Sequence, residues 1–406
     1  MNPAPAALRN HSLDALRAAA LLLGVVFHAA LAYLPGAGFG WAIQDRSTHP
    51  FFGALGLVLH SFRLGVFFLL AGYFGRRLHQ RLGGIGFVRN RLLRVFVPFV
   101  AGWLVVFPLL AFAWTWGAMQ GNPSLTQLAL SIGYSSALQR LQELLGLGPR
   151  SPGFPLTHLW FLYHLLLTYS LFLGGRMLVI RLGLHTIHWQ ERADALTRFL
   201  FRSPGGLPVL TFVSWLFLTG MDAWGVDTPD KTFVPQIPAL LHYGFIFALG
   251  WLLHRQSELL AGVRLRWGWY LAIALASTLP AFALIGHQGK AAHPAIHLGY
   301  QLAYAFMTWS WILTLLGLFL RFRARESAGW RYLADSAYWV YIIHLPAVVI
   351  LQVALSRAAL PCGVKFAIVV AATTLLSLVS YHLLVRATAI GQILNGRRYP
   401  FFAARQ

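Results

Sequence analysis

Long apolar runs, separated by short polar connections, dominate this chain. A helix needs about 20 mostly apolar residues to cross the hydrocarbon core of a bilayer. Runs of that kind stand at 13–34, 51–74, 92–116, 156–180, 205–223, 235–254, 266–286, 299–320, 335–356 and 361–385. The pattern predicts an all-α, polytopic transmembrane helix bundle of about ten spans. No connection is long enough to hold a second core, so the chain reads as one integral-membrane domain over 1–406. The first run is too long for a signal h-region and lacks a small-residue cleavage site, so it is expected to be retained. The longest connection, 117–155, carries Gly121-Asn122-Pro123 and Pro149, Pro152 and Pro155; loops of that length usually serve function, here as a cover over an external cavity. Segment 181–204 reads as a solvated amphipathic helix. No inverted repeat of the transporter kind is visible.

Composition agrees: 58% of residues are hydrophobic and 11% charged, with a mean hydropathy of +0.62, far from a soluble domain. A net charge of +21 raises the question of nucleic acid. Its placement answers otherwise. Arginines crowd alternate connections, such as Arg76, Arg77, Arg81 and Arg89 in one and Arg321, Arg323 and Arg325 in another. By the positive-inside rule both termini are expected in the cytoplasm. The single cysteine, Cys362, excludes an internal disulfide and a thiolate cage. Sixteen histidines without an HExxH pattern, and with few acids around them, give no expectation of a metal.

Polar groups inside apolar spans are functional-site hypotheses by default. Arg17 and His28 share the first span, and eleven residues are about three turns, so both lie on one face roughly 16 Å apart. His60 and Arg63 in the second span are one turn apart. Since that span runs inward, His60 is expected at the depth of His28, and the three groups His28, His60 and Arg63 in one outer pocket. The competing reading gives His60 and Arg63 only neighbouring helix carbonyls to satisfy. Arg91 and Arg94 stand at the cytoplasmic mouth of span three, placed to hold a polyanion or simply to fix topology. His158 and Trp160 begin span four at the outer side, where Trp160 also suits an interfacial anchor. His344 sits two residues before Pro346 in span nine and can bond a carbonyl that the proline frees. His164, His242 and His382 read as structural. Asp14, three residues from Arg17, offers it a plain intrahelical ion pair, and Asp222 and Asp335 also fall near span ends.

SLDALRA followed by GVVFHAALAY, HSFRLGVFFLLAGYF, Arg91-x2-Arg94 before a proline, HLWFL from His158, and YIIHLP with His344 resemble the membrane acyltransferase 3 family. Together with the N-terminal MNPAPA they look most like its members that act on osmoregulated periplasmic glucans. The resemblance implies a multi-pass bacterial inner-membrane enzyme that moves an acyl group from cytoplasmic acyl-CoA to a hydroxyl of an extracytoplasmic glycan, with membrane lipid around it. It carries catalysis to Arg17 and His28, and the acyl donor to Arg91 and Arg94. Segments 117–155 and 181–300 match little, which leaves acceptor and acyl chain open.

That chemistry needs a base for the hydroxyl proton, stabilisation of an oxyanion and positioning of two substrates. An imidazole titrates near operating pH, so His28 is the expected general base. Arg17, too distant to touch it, is expected to bind the donor, and Arg63 or His60 to stabilise the oxyanion. His158, Trp160 and His344 are the expected substrate contacts. If the acyl group is succinyl, Arg63 is the cation for its free carboxylate. A transporter or flippase is the competing class, opposed by the scarcity of membrane carboxylates. An inactive scaffold is the third.

Overall fold

The computed structural model describes residues 11–36, 41–121, 155–183, 187–221, 225–287, 293–323 and 325–400. MNPAPA, Asp222 and most of the 117–155 connection lie outside the described residues. Every regular element among the described residues is helical. In chain order the α-helices are α1 (His11–Ala30), α2 (Pro50–Arg91), α3 (Val97–Gly121), α4 (Trp160–Arg181), α5 (Ile187–Arg202) and α6 (Gly206–Leu218). They continue with α7 (Ile237–Arg255), α8 (Leu259–Leu265), α9 (Trp267–Ile285), α10 (Pro294–Phe322), α11 (Ala328–Leu355), α12 (Cys362–Ser380) and α13 (Ala389–Asn395).

Eight helical runs are long and apolar enough to cross a membrane, judged by length and composition. One of them, Pro50–Gln120, is 71 residues long and contains both apolar runs 51–74 and 92–116. Between them the chain runs as two helical stretches joined at a kink. It bends at Gly83, whose φ of 68° is open to glycine at little cost, and then passes through a π-helical segment, Leu92–Phe96. Run 205–223 corresponds to the shorter apolar helix α6.

Helix starts follow from local chemistry. Pro50 and Pro294 occupy first-turn positions that need no N–H, and each is preceded by a histidine cap. His49 Nδ1 accepts from Phe51 N–H and His293 Nδ1 from Ala295 N–H, both at 3.2 Å. Two of the histidines are thereby explained as caps.

Helix α1 is enclosed by α2, α10 and α11. Its flank with α11 is lined by small residues, Ala18 meeting Ala334 and Ala337, which suits close packing where the hydrophobic effect between helices is weak. Where α2 crosses α7, Gly72 lies against the Phe247 carbonyl and Gly250 against the Leu69 carbonyl, so closely that neither position has room for a side chain. The outward faces expose Leu104, Phe112, Trp269, Leu279 and Leu375, an apolar exterior that suits hydrocarbon. Helix α5 buries Thr197, Leu200 and Phe201. Its Asp194 pairs with Arg255 at 2.9 Å, and Arg266 holds the carbonyls of Phe201 and Arg202 at its C-terminal end.

A buried ion pair fixes the segment after α1. Lys365 Nζ, at the start of α12, donates to both carboxylate oxygens of Asp45 at 2.9 and 2.8 Å and to the Ser356 carbonyl at 3.2 Å. Cys362 N–H donates to Ser47 Oγ in the same tie. This strap carries Trp41 to the C-terminal end of α1, against His28.

Candidate active site

A cavity of about 620 Å³ opens among α1, α2, α3, α4 and α11. Along α1 its wall runs from Leu31 to Ala20, which at 1.5 Å per residue is a depth of about 16 Å. Trp41, Trp114, Thr228, Asp230 and Lys231 are part of its lining, as are Ala20, Leu21, Phe67 and Leu345. Six of the residues singled out from sequence line it: His28, His60, Arg63, His158, Trp160 and His344. Arg17, Arg91 and Arg94 do not.

Arg63 is 8% exposed and has no carboxylate within ion-pair distance among the described residues. Its guanidinium lies over the Phe27 ring, 4.4 Å from the centroid, and Nη1 is buried without a hydrogen-bond partner. A buried, unpaired cation is costly, and such a group is ready to receive an anion. The pro-Cβ position of Gly24, one turn before His28, is 3.5 Å from Arg63 Nη1 and 4.0 Å from His344 Nε2. The missing side chain at Gly24 leaves these two groups room against α1.

The four imidazoles of the lining are held differently. In α11, Pro346 has no N–H to offer the Ile342 carbonyl four residues earlier. That carbonyl and the Tyr341 carbonyl both accept from His158 Nε2–H, at 3.1 and 2.9 Å. Tyr341 Oη donates back to the His158 carbonyl at 2.7 Å, locking the two elements together. The freed carbonyl thus goes to His158. His344 instead donates Nδ1–H to the Val340 and Tyr341 carbonyls at 3.1 and 2.8 Å. These bonds set the tautomers, so His158 Nδ1 and His344 Nε2 are bare acceptors, both buried and unpartnered. His28 stacks on Trp41 with ring centroids 5.7 Å apart, and its Nδ1 is buried without a partner. His60 Nδ1 meets Tyr304 Oη at 2.7 Å.

Backbone strain marks the same place. Thr157, just before His158, has φ 56°, in the left-handed region that a β-branched residue seldom adopts. Elsewhere in the lining, burial pushes the Asp230 carboxyl above the usual carboxylate value, with the neighbouring Lys231 ammonium drawing it back.

The remaining cations gather on the other side of the cavity floor. Arg17 lies one turn beyond Ala20, paired with Asp14 at 3.2 Å, the intrahelical contact that its spacing offers. Arg94 is within electrostatic reach of Arg91, Arg17 and Arg81. Arg91 Nη1 donates to Tyr169 Oη at 3.2 Å, and the Arg94 carbonyl accepts from Tyr338 Oη at 2.8 Å. The Arg94 guanidinium lies against Gly396, after α13. Among the described residues no group of three or more His, Cys, Asp or Glu side chains is arranged to hold a metal ion.

Sequence reasoning did not single out Trp41, Tyr304, Tyr341 or Gln352. Gln352 donates to the His28 and Ala29 carbonyls at 3.1 and 2.9 Å and accepts from Trp41 Nε1 at 2.8 Å. A lone amide inside the apolar run AVVILQVAL was a visible signal for it.

The long apolar helices, and a cavity whose lining brings together four imidazoles and a guanidinium with no carboxylate partner among the described residues, point to a membrane protein with a polar site in its interior. A family model described as an acyltransferase domain, that of the acyltransferase 3 family, matches residues 10–382, and the chain belongs to this family. It is an acyltransferase. Similar curated proteins include Glucans biosynthesis protein C of Escherichia coli strain K12, of strain SMS-3-5 / SECEC and of O1:K1 / APEC, each 34% identical over 110 residues. The similarity covers 27% of this chain and 26% of each relative, so the match spans about a quarter of those proteins. No solved structure matches.

Proposed function

We propose that this protein is a bacterial inner-membrane O-acyltransferase of ten spans, with both termini cytoplasmic. It moves a short acyl group, acetyl or succinyl, from cytoplasmic acyl-CoA to a hydroxyl of an extracytoplasmic glycan. The observation that carries the reading is the cavity itself, in which His28 and the unpaired Arg63 face one space. The glycan acceptor is supported by the glucan-biosynthesis relatives. The cations Arg17, Arg91 and Arg94 suit a nucleotide diphosphate at the cavity's far side.

In this reading the acceptor hydroxyl oxygen attacks the thioester carbonyl carbon while its proton passes to His28 Nε2. The tetrahedral oxyanion forms beside Arg63, in a water-poor site where a fixed charge counts most. The C–S bond then breaks, the carbonyl re-forms as an ester, and the departing thiolate takes the proton back from His28. His158 Nδ1 is an acceptor for a sugar hydroxyl, and Trp160 is an apolar wall for the sugar.

Mass spectrometry of envelope glycans from a deletion strain, complemented with wild type or His28→Ala, is the test. Acylation is expected to return with wild type only; an unchanged pattern with His28→Ala removes the base assignment. For the donor, acyl-CoA affinity of purified Arg91→Ala/Arg94→Ala protein is expected to fall, and undiminished affinity returns both residues to a topological role.

A further inference from the structure

We propose that His344 holds His28 in its working tautomer, forming an imidazole–imidazole pair where many acyl-transfer enzymes place a carboxylate behind the base. The proposal rests on the reading of His28 as the general base and adds a positioning residue to it.

An imidazole that takes a proton on one nitrogen must carry its own proton on the other, and a fixed acceptor for that N–H sets both tautomer and ring orientation. With Nδ1 buried, His28 presents Nε2 to the cavity. Its Nδ1–H therefore needs an acceptor. Asp230 is the one acid lining the cavity among the described residues, and the charge that acts on it is Lys231. His344 offers what is missing. Its Nδ1–H is committed to two backbone carbonyls, which leaves Nε2 a bare acceptor that is buried and unpartnered. The His28 and His344 ring centroids are 5.3 Å apart with 42° between the planes. A ring nitrogen lies about 1.2 Å from its centroid, so this separation allows Nδ1 of one and Nε2 of the other to come to about 3 Å, hydrogen-bond range, when both turn onto the line between the rings.

The third imidazole is not an alternative. His158 Nδ1 is a bare acceptor as well, but the His158 ring packs on His344, at 5.1 Å between centroids, whereas the ring that packs on His28 is that of His344. Arg63 Nη1 is the competing donor for His344 Nε2, since both flank Gly24.

A neutral acceptor also suits this site better than a carboxylate would. A carboxylate next to Arg63 would pair with it and cancel the charge that the oxyanion requires. When the hydroxyl proton reaches His28 Nε2, the imidazolium donates Nδ1–H to His344 Nε2. His344 remains neutral throughout, its own Nδ1–H bonded to the backbone.

The experiment is steady-state kinetics of the purified full-length protein in lipid nanodiscs, with acetyl-CoA or succinyl-CoA as donor and a gluco-oligosaccharide as acceptor. His344→Phe keeps the ring volume and removes the acceptor; its kcat is expected to fall about 10²- to 10³-fold with both KM values within about twofold. His344→Gln places an amide oxygen near the position of Nε2 and is expected to recover kcat to within about tenfold of wild type. In the His28→Ala background His344→Phe should add nothing. A kcat for His344→Phe within about threefold of wild type, while His28→Ala is inactive, overturns the pairing alone. Equal losses for Phe and Gln overturn it too, as does an effect of His344→Phe that disappears in Arg63→Gln, which would give the acceptor to Arg63. A fully active His28→Ala overturns the base reading instead.

Discussion

Pro346 is the residue whose replacement separates stability from activity most cleanly. Alanine at this position supplies the N–H that α11 lacks, and the Ile342 carbonyl four residues earlier becomes its acceptor. His158 Nε2–H then keeps only the Tyr341 carbonyl, where now it has both at 2.9 and 3.1 Å. A neutral hydrogen bond is worth about 1 kcal/mol net, which through the exponential dependence of rate on barrier height is about fivefold. The expected result for Pro346→Ala is a fall of about fivefold in kcat/KM for the acceptor. Its melting temperature in the same detergent should be equal to wild type or higher, because an interior proline costs a helix about 3 kcal/mol. Donor-saturated initial rates and thermal unfolding followed by tryptophan fluorescence measure the two sides. Wild-type kcat/KM in a well-folded Pro346→Ala protein would refute the idea that the freed carbonyl orients His158.

Three further expectations concern parts of the molecule that carry or frame the cavity. Lys365→Met leaves Asp45 buried and unpaired at 2% side-chain exposure and should destabilise the protein by about 3–5 kcal/mol in denaturant or thermal melts; Asp45→Leu/Lys365→Met should recover most of it, and a double variant as unstable as the single one would contradict the pairing. Gly250→Val drives a side chain into the Leu69 carbonyl and should sharply lower the yield of folded protein, whereas Gly244→Ala on the same helix, with open space around it, should be silent in the same expression and melting assays. Arg63→Gln should raise melting temperature, by relieving an unpaired buried cation, while turnover falls about 10²- to 10³-fold; a parallel loss of both would mean that Arg63 is structural.

The helices were legible because long apolar runs carry their own signal, and all ten predicted runs fall on helices. What joins two of them was not: the connection between 74 and 92 reads as a polar connection by charge, yet is helical on both sides of a kink at Gly83. Within spans, the polar residues were conspicuous against their neighbours, and His28, His60, Arg63, His158, Trp160 and His344 line one cavity. Local spacing also offered the Asp14–Arg17 pair. The partners that shape the site were hidden for a physical reason. Trp41 bonds Gln352 across 311 positions and His158 bonds Tyr341 across 183, and no periodicity encodes a contact between helices so far apart in the chain. Which carbonyl Pro346 frees is predictable; which side chain then takes it depends on packing.

The π-helical segment Leu92–Phe96 has a consequence in terms of chain length. A π turn holds about one residue more than an α turn, and such segments arise as if a residue had been inserted into a regular helix. Each residue sets a rotation of about 100°. No substitution can undo that offset, because the offset is a matter of count. Removing one residue between Leu92 and Phe96 would restore the α-helical register and rotate all of α3 against everything before it, its cavity-lining Phe107, Leu110 and Trp114 included. The relative setting of the basic end and the reaction chamber is therefore stored as a length, and single-residue deletions, which mutational surveys usually omit, are the changes to which this helix is most sensitive.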